Sequence, residues 1–134
     1  MVAALQQERS AMSVTRLLLS LAGLMGATGV VFAALGSHAY AGTNLPVAAT
    51  MLSLQAPAVM ALAIGRKAGL LHDLAARIAA WTLVVGTILF CGDLAMRAFA
   101  GTGLFAMAAP AGGSLMIAAW AGAAVAGAIG GRGT

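Results

Sequence analysis

Four long apolar segments, separated by short turns, constrain the fold of this chain more than any other sequence feature. They cover about residues 14–39, 45–64, 74–98 and 104–129. A helix of about 20 apolar residues is long enough to cross the hydrocarbon core of a membrane. With 134 residues, 62% hydrophobic and 7% charged, the chain cannot bury so much apolar surface in one water-soluble core. The sequence therefore predicts an all-α membrane protein: one domain over 14–130, with four transmembrane helices in a compact up-down bundle.

The polar residues 1–13 precede the first segment and are interpreted as a flexible N-terminal tail. Met12 is an alternative start to Met1. A secretory signal peptide is a rival interpretation, because Arg9 and Arg16 precede the apolar run and residues 39–41 read Ala-Tyr-Ala. The run is longer than the roughly 7–15 residues of a signal peptide core, which favours a membrane helix.

The charges of the chain predict its orientation. The net charge is +4, but the basic residues stand near the ends of apolar segments and form no basic face with interleaved aromatics, which argues against a nucleic-acid partner. One side of the predicted membrane holds a single cation, Arg97. The other side holds six: Arg9, Arg16, Arg66, Lys67, Arg77 and Arg132. The positive-inside rule then predicts that both termini are cytoplasmic.

Asp93 is the one acid deep inside an apolar segment, and Arg97 follows it by one helical turn. The predicted topology places both near the outer end of the third helix, with His38 at the outer end of the first. Acids within a membrane are rare and mark packing or functional sites. Three interpretations of this polar cluster stay open: a lock that fixes helix packing, a site that handles protons or a ligand, and a contact for another subunit.

Prolines and glycines predict helix bends and close packing. Pro57 lies inside the second segment and is expected to kink it. Pro110, with Gly112 and Gly113, is expected to interrupt the fourth segment early. Gly122 belongs to a predicted face of small residues, which favours close helix packing. Members of this face recur at every fourth position: Ser114, Ala118, Gly122, Ala126 and Gly130.

The remaining polar and sulfur side chains have simple interpretations. Gln55 is expected to bond to a neighbouring helix, and Asp73 to cap the third helix. His72 is interpreted as a solvated loop histidine, and Cys91 as a small buried hydrophobe. One thiol and two histidines on opposite sides of the membrane predict no metal centre, no cofactor and no internal disulfide.

Several short motifs occur in an order that resembles a known family. They are ALGSH at 34–38, QA at 55–56, GTILFCGDL at 86–94, PAGG at 110–113 and AW at 119–120. Over about residues 20–122 the chain resembles the domain of unknown function 423 / transmembrane protein 256 family of YgdD-like small inner-membrane proteins. The resemblance implies a four-helix protein of the bacterial inner membrane. It implies no reaction, because the family has no assigned biochemical role.

The chain departs from the pattern of that family at the polar positions. Where the family usually has serine–glycine–serine–leucine–tyrosine, residues 91–95 read Cys-Gly-Asp-Leu-Ala. Ala58 stands where the family usually has a histidine after the glutamine. Asp93 and Arg97 are therefore interpreted as features of this member.

Two classes of function are consistent with these features. The first is a structural or accessory subunit, whose partners are lipid and other membrane subunits or further copies of the chain. The alternative is a small oligomeric transporter, channel or proton relay that uses Asp93, Arg97 and His38, since broken helices often line transporter sites. An enzyme is not expected, because the cysteine and the histidines have no obvious catalytic partners.

Overall fold

Residues 1–131 are described by a computed structural model, and they form four α-helices with no strand among them. The helices are α1 Val2–Ser37, α2 Leu45–Lys67, α3 Asp73–Ala100 and α4 Ala108–Ile129. Each is long and apolar enough to cross a membrane. The prediction of an all-helical chain with four candidate membrane spans is confirmed.

The first helix begins much earlier than the sequence analysis predicts. Residues 2–13, which the sequence predicts as part of a flexible tail, are helical and continue α1. The reason is local: this stretch contains no proline or glycine and is rich in Ala, Leu, Gln, Glu and Arg, which favour helix. At 1.5 Å per residue the 36 residues of α1 span about 54 Å, well beyond a hydrocarbon core of about 30 Å. α1 is therefore longer than a single crossing of the apolar layer requires.

The other helix ends also depart from prediction in detail. α4 begins at Ala108 instead of 104, so Pro110 falls in its first turn, where its missing N–H matters little. The predicted early interruption of this helix is thereby corrected. His72 caps α3, because its Nδ1 accepts a hydrogen bond from the Ala75 N–H at 3.2 Å. Asp73, the predicted cap, is the first residue of the helix. α2 continues without a break past the exposed Pro57.

Packing joins the helices in chain order, α1 to α2, α2 to α3 and α3 to α4. Glycines set the closest approaches. A Cβ on Gly112 would lie 2.5 Å from the Phe90 nitrogen and 2.6 Å from the Gly86 oxygen, so α3 and α4 meet backbone to backbone. Within residues 1–131, α1 and α4 share no comparable interface. The arrangement is thus more open than the predicted compact bundle, since lipid is as apolar as the helix faces and does not force the outer helices together.

The predicted face of small residues on α4 is only partly the packed face. Ser114 and Ala118 are exposed, Gly122 is partly buried and Ala126 is buried. A strict spacing of four drifts around a helix by about 40° at each step, because one turn takes 3.6 residues. The buried residues of α4 are instead Ala108, Gly112, Met116, Ala119 and Ala126.

Candidate functional site: two ion pairs, each with one buried partner

The Asp93 carboxylate is completely buried near the end of α3, and both of its oxygens are bonded. Oδ2 accepts a hydrogen bond from Arg97 Nε at 2.9 Å, and Oδ1 accepts one from the Leu104 N–H at 2.8 Å. The Arg97 side chain is 52% exposed. One carboxylate therefore binds both its own helix and the loop between α3 and α4. We call Asp93, Arg97 and Leu104 the loop anchor.

The local sequence explains how the loop reaches Asp93. Gly101 adopts the left-handed conformation, with φ of 77°, which ends α3 and turns the chain back. Gly103 then passes so close that a side chain there would collide with Asp93 Oδ1 and lie 2.8 Å from Arg97 Nη2. The four-residue spacing of Asp93 and Arg97 places them on one helix face. The loop anchor therefore needs both the i,i+4 pair and a glycine beside it.

His38 lies at the same end of the helices but outside the loop anchor. It is exposed after the last residue of α1, and its imidazole makes no hydrogen bond or ion pair with any residue of the described chain. The Phe99 ring packs edge-on against Phe32 and Tyr40, with centroids 5.9 and 4.8 Å apart, which keeps the ends of α1 and α3 adjacent. Of the three predicted cluster residues, the structure bonds Asp93 to Arg97 and leaves His38 unbonded.

A second ion pair with one buried partner, which the sequence does not predict, lies at the opposite end of α3. The Arg66 side chain is 3% exposed, and its Nη2 lies 2.8 Å from Asp73 Oδ1. Arg66 Nη1 also donates a hydrogen bond to Thr15 Oγ1 at 3.1 Å. We call Thr15 of α1, Arg66 of α2 and Asp73 of α3 the helix clamp. The basic run at 66–67 reads as a solvated connection, so only the acid seven residues later hints at this pair.

Polar contacts also cross the middle of the helices. Trp120 Nε1 donates to Gln55 Oε1 at 3.0 Å, which joins α4 to α2 and confirms that Gln55 bonds to a neighbouring helix. The buried Cys91 thiol donates to the Ala48 oxygen at 3.5 Å. Every buried side-chain nitrogen and oxygen in residues 1–131 has a hydrogen-bond partner. Those residues also contain no group of three His, Cys, Asp or Glu side chains that could hold a metal ion.

The packing glycines predicted from the sequence differ in how tightly they are held. Gly112 meets the α3 backbone, whereas a Cβ on Gly113 would lie an ordinary 3.9 Å from the Phe90 ring. At Gly122 a Cβ would lie 3.4 Å from Ala79 Cβ, again between α4 and α3. Gly112 is thus the glycine that most directly sets the α3–α4 distance beside the loop anchor.

Comparison with protein families identifies a match that covers more than half of the chain. The family described as "Protein of unknown function (DUF423)" matches residues 32–113. The matched region runs from the last turns of α1 to the first turns of α4 and includes the whole loop anchor. Searches of curated proteins and of solved structures found no match.

Proposed function

This chain belongs to the DUF423 family of proteins of unknown function, as its motifs predicted, and we propose that it is a structural or accessory subunit of a larger membrane complex. In this proposal the four helices cross the bacterial inner membrane as an up-down bundle, with both termini in the cytoplasm. The protein has no enzymatic activity of its own. Its partners are lipid and other membrane subunits, or further copies of the chain.

The unequal burial of the helices is the observation that carries this proposal. In the most apolar stretches of α2 and α3, 44% of residues are buried inside the protein, but only 22% in those of α1 and α4. Each outer helix therefore packs on one side and offers an apolar face on the other. Small residues such as Ser114 and Ala118 lie exposed on α4, and small residues let another helix approach closely.

The pairing of buried polar groups supports a structural role over a transport role. Both Asp93 oxygens are occupied, and the buried Arg66 is bonded on two sides. A carrier or relay needs polar groups that can exchange partners with its cargo. Groups already satisfied within the chain instead fix helix ends and loops.

Contacts between the start of one helix and the end of the next support the up-down arrangement. Thr15 near the start of the apolar part of α1 meets Arg66 at the end of α2, while Gly36 at the end of α1 lies against Pro46 at the start of α2. The excess of basic residues on the side of Arg66 supports a cytoplasmic location for that side. One of the six cations in that count, Arg132, lies outside the described residues.

Thiol labelling of intact cells tests the orientation. In a Cys91→Ala background, which removes the single natural cysteine, Thr102→Cys and Ala68→Cys place one thiol at each end of α3. We expect a membrane-impermeant maleimide to label Thr102→Cys in intact cells, and Ala68→Cys only after the membrane is opened. The opposite labelling pattern would refute the cytoplasmic termini.

Purification in a mild detergent tests the accessory role. The chain is tagged at its natural expression level, purified, and its particle mass is measured by native mass spectrometry. We expect a particle that contains at least one other protein chain in fixed stoichiometry. A particle that holds only this chain, in several mild detergents, would contradict the proposal.

The alternative function is a small oligomeric transporter, channel or proton relay built on Asp93, Arg97 and His38. The observation that favours it is the complete burial of an acid within an apolar helix, a feature of proton and ion pathways. Four short helices leave little room for a pore, so this function would require self-association. Flux of protons or common ions through vesicles that contain the purified chain is its direct test.

A further inference from the structure

An open cavity of about 1010 Å³ lies at the end of the helices where the helix clamp is found. One wall is the overhanging start of α1, from Ala4 to Val14. The others are the α2–α3 connection, the start of α3 and the end of α4, represented by Gly69, Arg77 and Ile129. Because α1 is longer than one crossing of the apolar layer requires, and because its polar residues are concentrated at this start, the wall is suited to the depth of lipid headgroups.

The charges that line this cavity favour an anion. They are Arg66, Lys67 and Arg77, with the carboxylates of Glu8 and Asp73. Asp73 is bonded to the buried Arg66. Lys67 and Arg77 have no ion-pair partner within the part of the chain that the structure describes, so two cations face the cavity against the one carboxylate of Glu8.

An apolar groove of about 370 Å³ adjoins the cavity. It lies between α2 and α4, over Leu83 of α3, and its lining includes Gly65, Trp120 and Ala123. Leu71 lines both the groove and the cavity. Its side chain rests against Gly65 and lies near Gly127, so it stands between α2 and α4 where the two spaces meet.

We propose that the cavity and the groove together form a binding site for one anionic phospholipid. Its phosphate lies at Lys67 and Arg77, and one acyl chain follows the groove past Leu71. Basic pockets between helices are suited to lipid phosphates, and an apolar groove that faces the bilayer is suited to hydrocarbon. The site requires no protein partner. Lipid binding here can therefore be confirmed or refuted whether or not the chain is an accessory subunit.

Lipid titration of the purified full chain tests the phosphate end of the site. Dioleoyl phosphatidylglycerol and dioleoyl phosphatidylcholine are added separately to the protein in detergent, and bound lipid is counted by native mass spectrometry. We expect phosphatidylglycerol to bind in preference. We expect the double variant Lys67→Gln/Arg77→Gln to bind it roughly 30-fold more weakly, since each cation near lipid phosphate contributes about a factor of five.

The matched control for charge is Arg9→Gln/Arg16→Gln. It also removes two positive charges, but from residues of α1 that do not line the cavity. We expect this variant to retain nearly all binding of phosphatidylglycerol. An equal loss in both double variants would show diffuse attraction by surface charge and would overturn the proposed site.

The acyl end of the site is tested by filling the groove. Ala123→Phe places a ring in the groove, and Ala124→Phe places the same ring on the neighbouring exposed position outside the groove lining. We expect only Ala123→Phe to weaken binding of phosphatidylglycerol, with thermal unfolding confirming that both variants fold. If neither ring weakens binding and inorganic phosphate displaces the lipid, the cavity binds free phosphate, and the lipid site is refuted.

Discussion

The loop anchor and the helix clamp each contain one ion pair, with closest contacts of 2.9 and 2.8 Å, but the buried partner is reversed between them. In the loop anchor the acid Asp93 is fully buried and the base Arg97 is 52% exposed. In the helix clamp the base Arg66 is 3% exposed and the acid Asp73 is 60% exposed. In each pair the buried member also forms a hydrogen bond to a residue outside the pair, Leu104 for Asp93 and Thr15 for Arg66. The exposed member forms no such bond.

This reversal shows what each cluster can hold in place. A carboxylate accepts hydrogen bonds, so buried Asp93 can bind the backbone N–H of a loop. A guanidinium has several donors in a rigid fork, so buried Arg66 can reach side chains on two other helices. The acid therefore fixes a loop and the base fixes helices.

The largest effect is expected from removing the buried acid. Asp93→Ala leaves the Leu104 N–H without its acceptor and Arg97 without its partner, so the loop at 101–107 loses its attachment to α3. We expect the largest loss of melting temperature of any single variant described here, measured by circular dichroism in detergent. Glu8→Ala is the control, because it removes an exposed acid that forms no ion pair with any described residue. Equal losses in the two variants would show that the bonds of Asp93 add no stability.

Removal of the buried base is expected to have the next largest effect. Arg66→Met keeps most of the apolar stem of the side chain but removes its bonds to Thr15 and Asp73. We expect a loss of about 2 to 3 kcal/mol in the free energy of unfolding, typical of hydrogen bonds to a charged group. The adjacent Lys67→Met is the control, because Lys67 is exposed and outside the helix clamp. If Lys67→Met lowers the free energy of unfolding as much as Arg66→Met does, the bonds of the helix clamp add no specific stability.

The close approach of α4 to α3 is tested by two neighbouring glycines. In Gly112→Ala the new methyl group meets the backbone of Phe90 and Gly86, which cannot move aside as a side chain can. We expect a loss of about 1 to 3 kcal/mol, the usual range for overpacking. Gly113→Ala adds the same methyl group at an ordinary contact distance and should be nearly neutral. If Gly113→Ala is the more harmful change, the α3–α4 interface is assigned incorrectly.

The smallest effect is expected where the helix clamp reaches α1. Thr15→Val removes the acceptor of Arg66 Nη1 and should reduce stability by about 1 kcal/mol. Thr28→Val is the matched control. Both hydroxyls donate to the carbonyl four residues earlier, but that of Thr28 is exposed and receives no bond from another helix. Equal effects in chemical unfolding would mean that the bond between α1 and α2 adds nothing.

Part of this structure is readable from the sequence because it depends on local patterns. Hydrophobic length predicts the four helices, and the four-residue spacing predicts the Asp93–Arg97 pair. The hydrogen bond from the Leu104 N–H to Asp93 is not predictable, because every residue except proline has a backbone N–H. This N–H comes close to Asp93 only through the turn at Gly101. Arg66 was missed because a basic pair at a helix end looks solvated, and its burial depends on how α1 packs against α2.

Proton flux is the measurement that most directly separates a structural Asp93 from a transporting one. Purified wild-type chain and Asp93→Asn are reconstituted into vesicles with a pH-sensitive dye inside, and a pH gradient is applied. We expect a lower melting temperature for Asp93→Asn, because the amide replaces one of the two accepting oxygens with an NH₂ group. We expect no proton flux from either protein. Proton flux through the wild-type chain that disappears in Asp93→Asn would contradict this account.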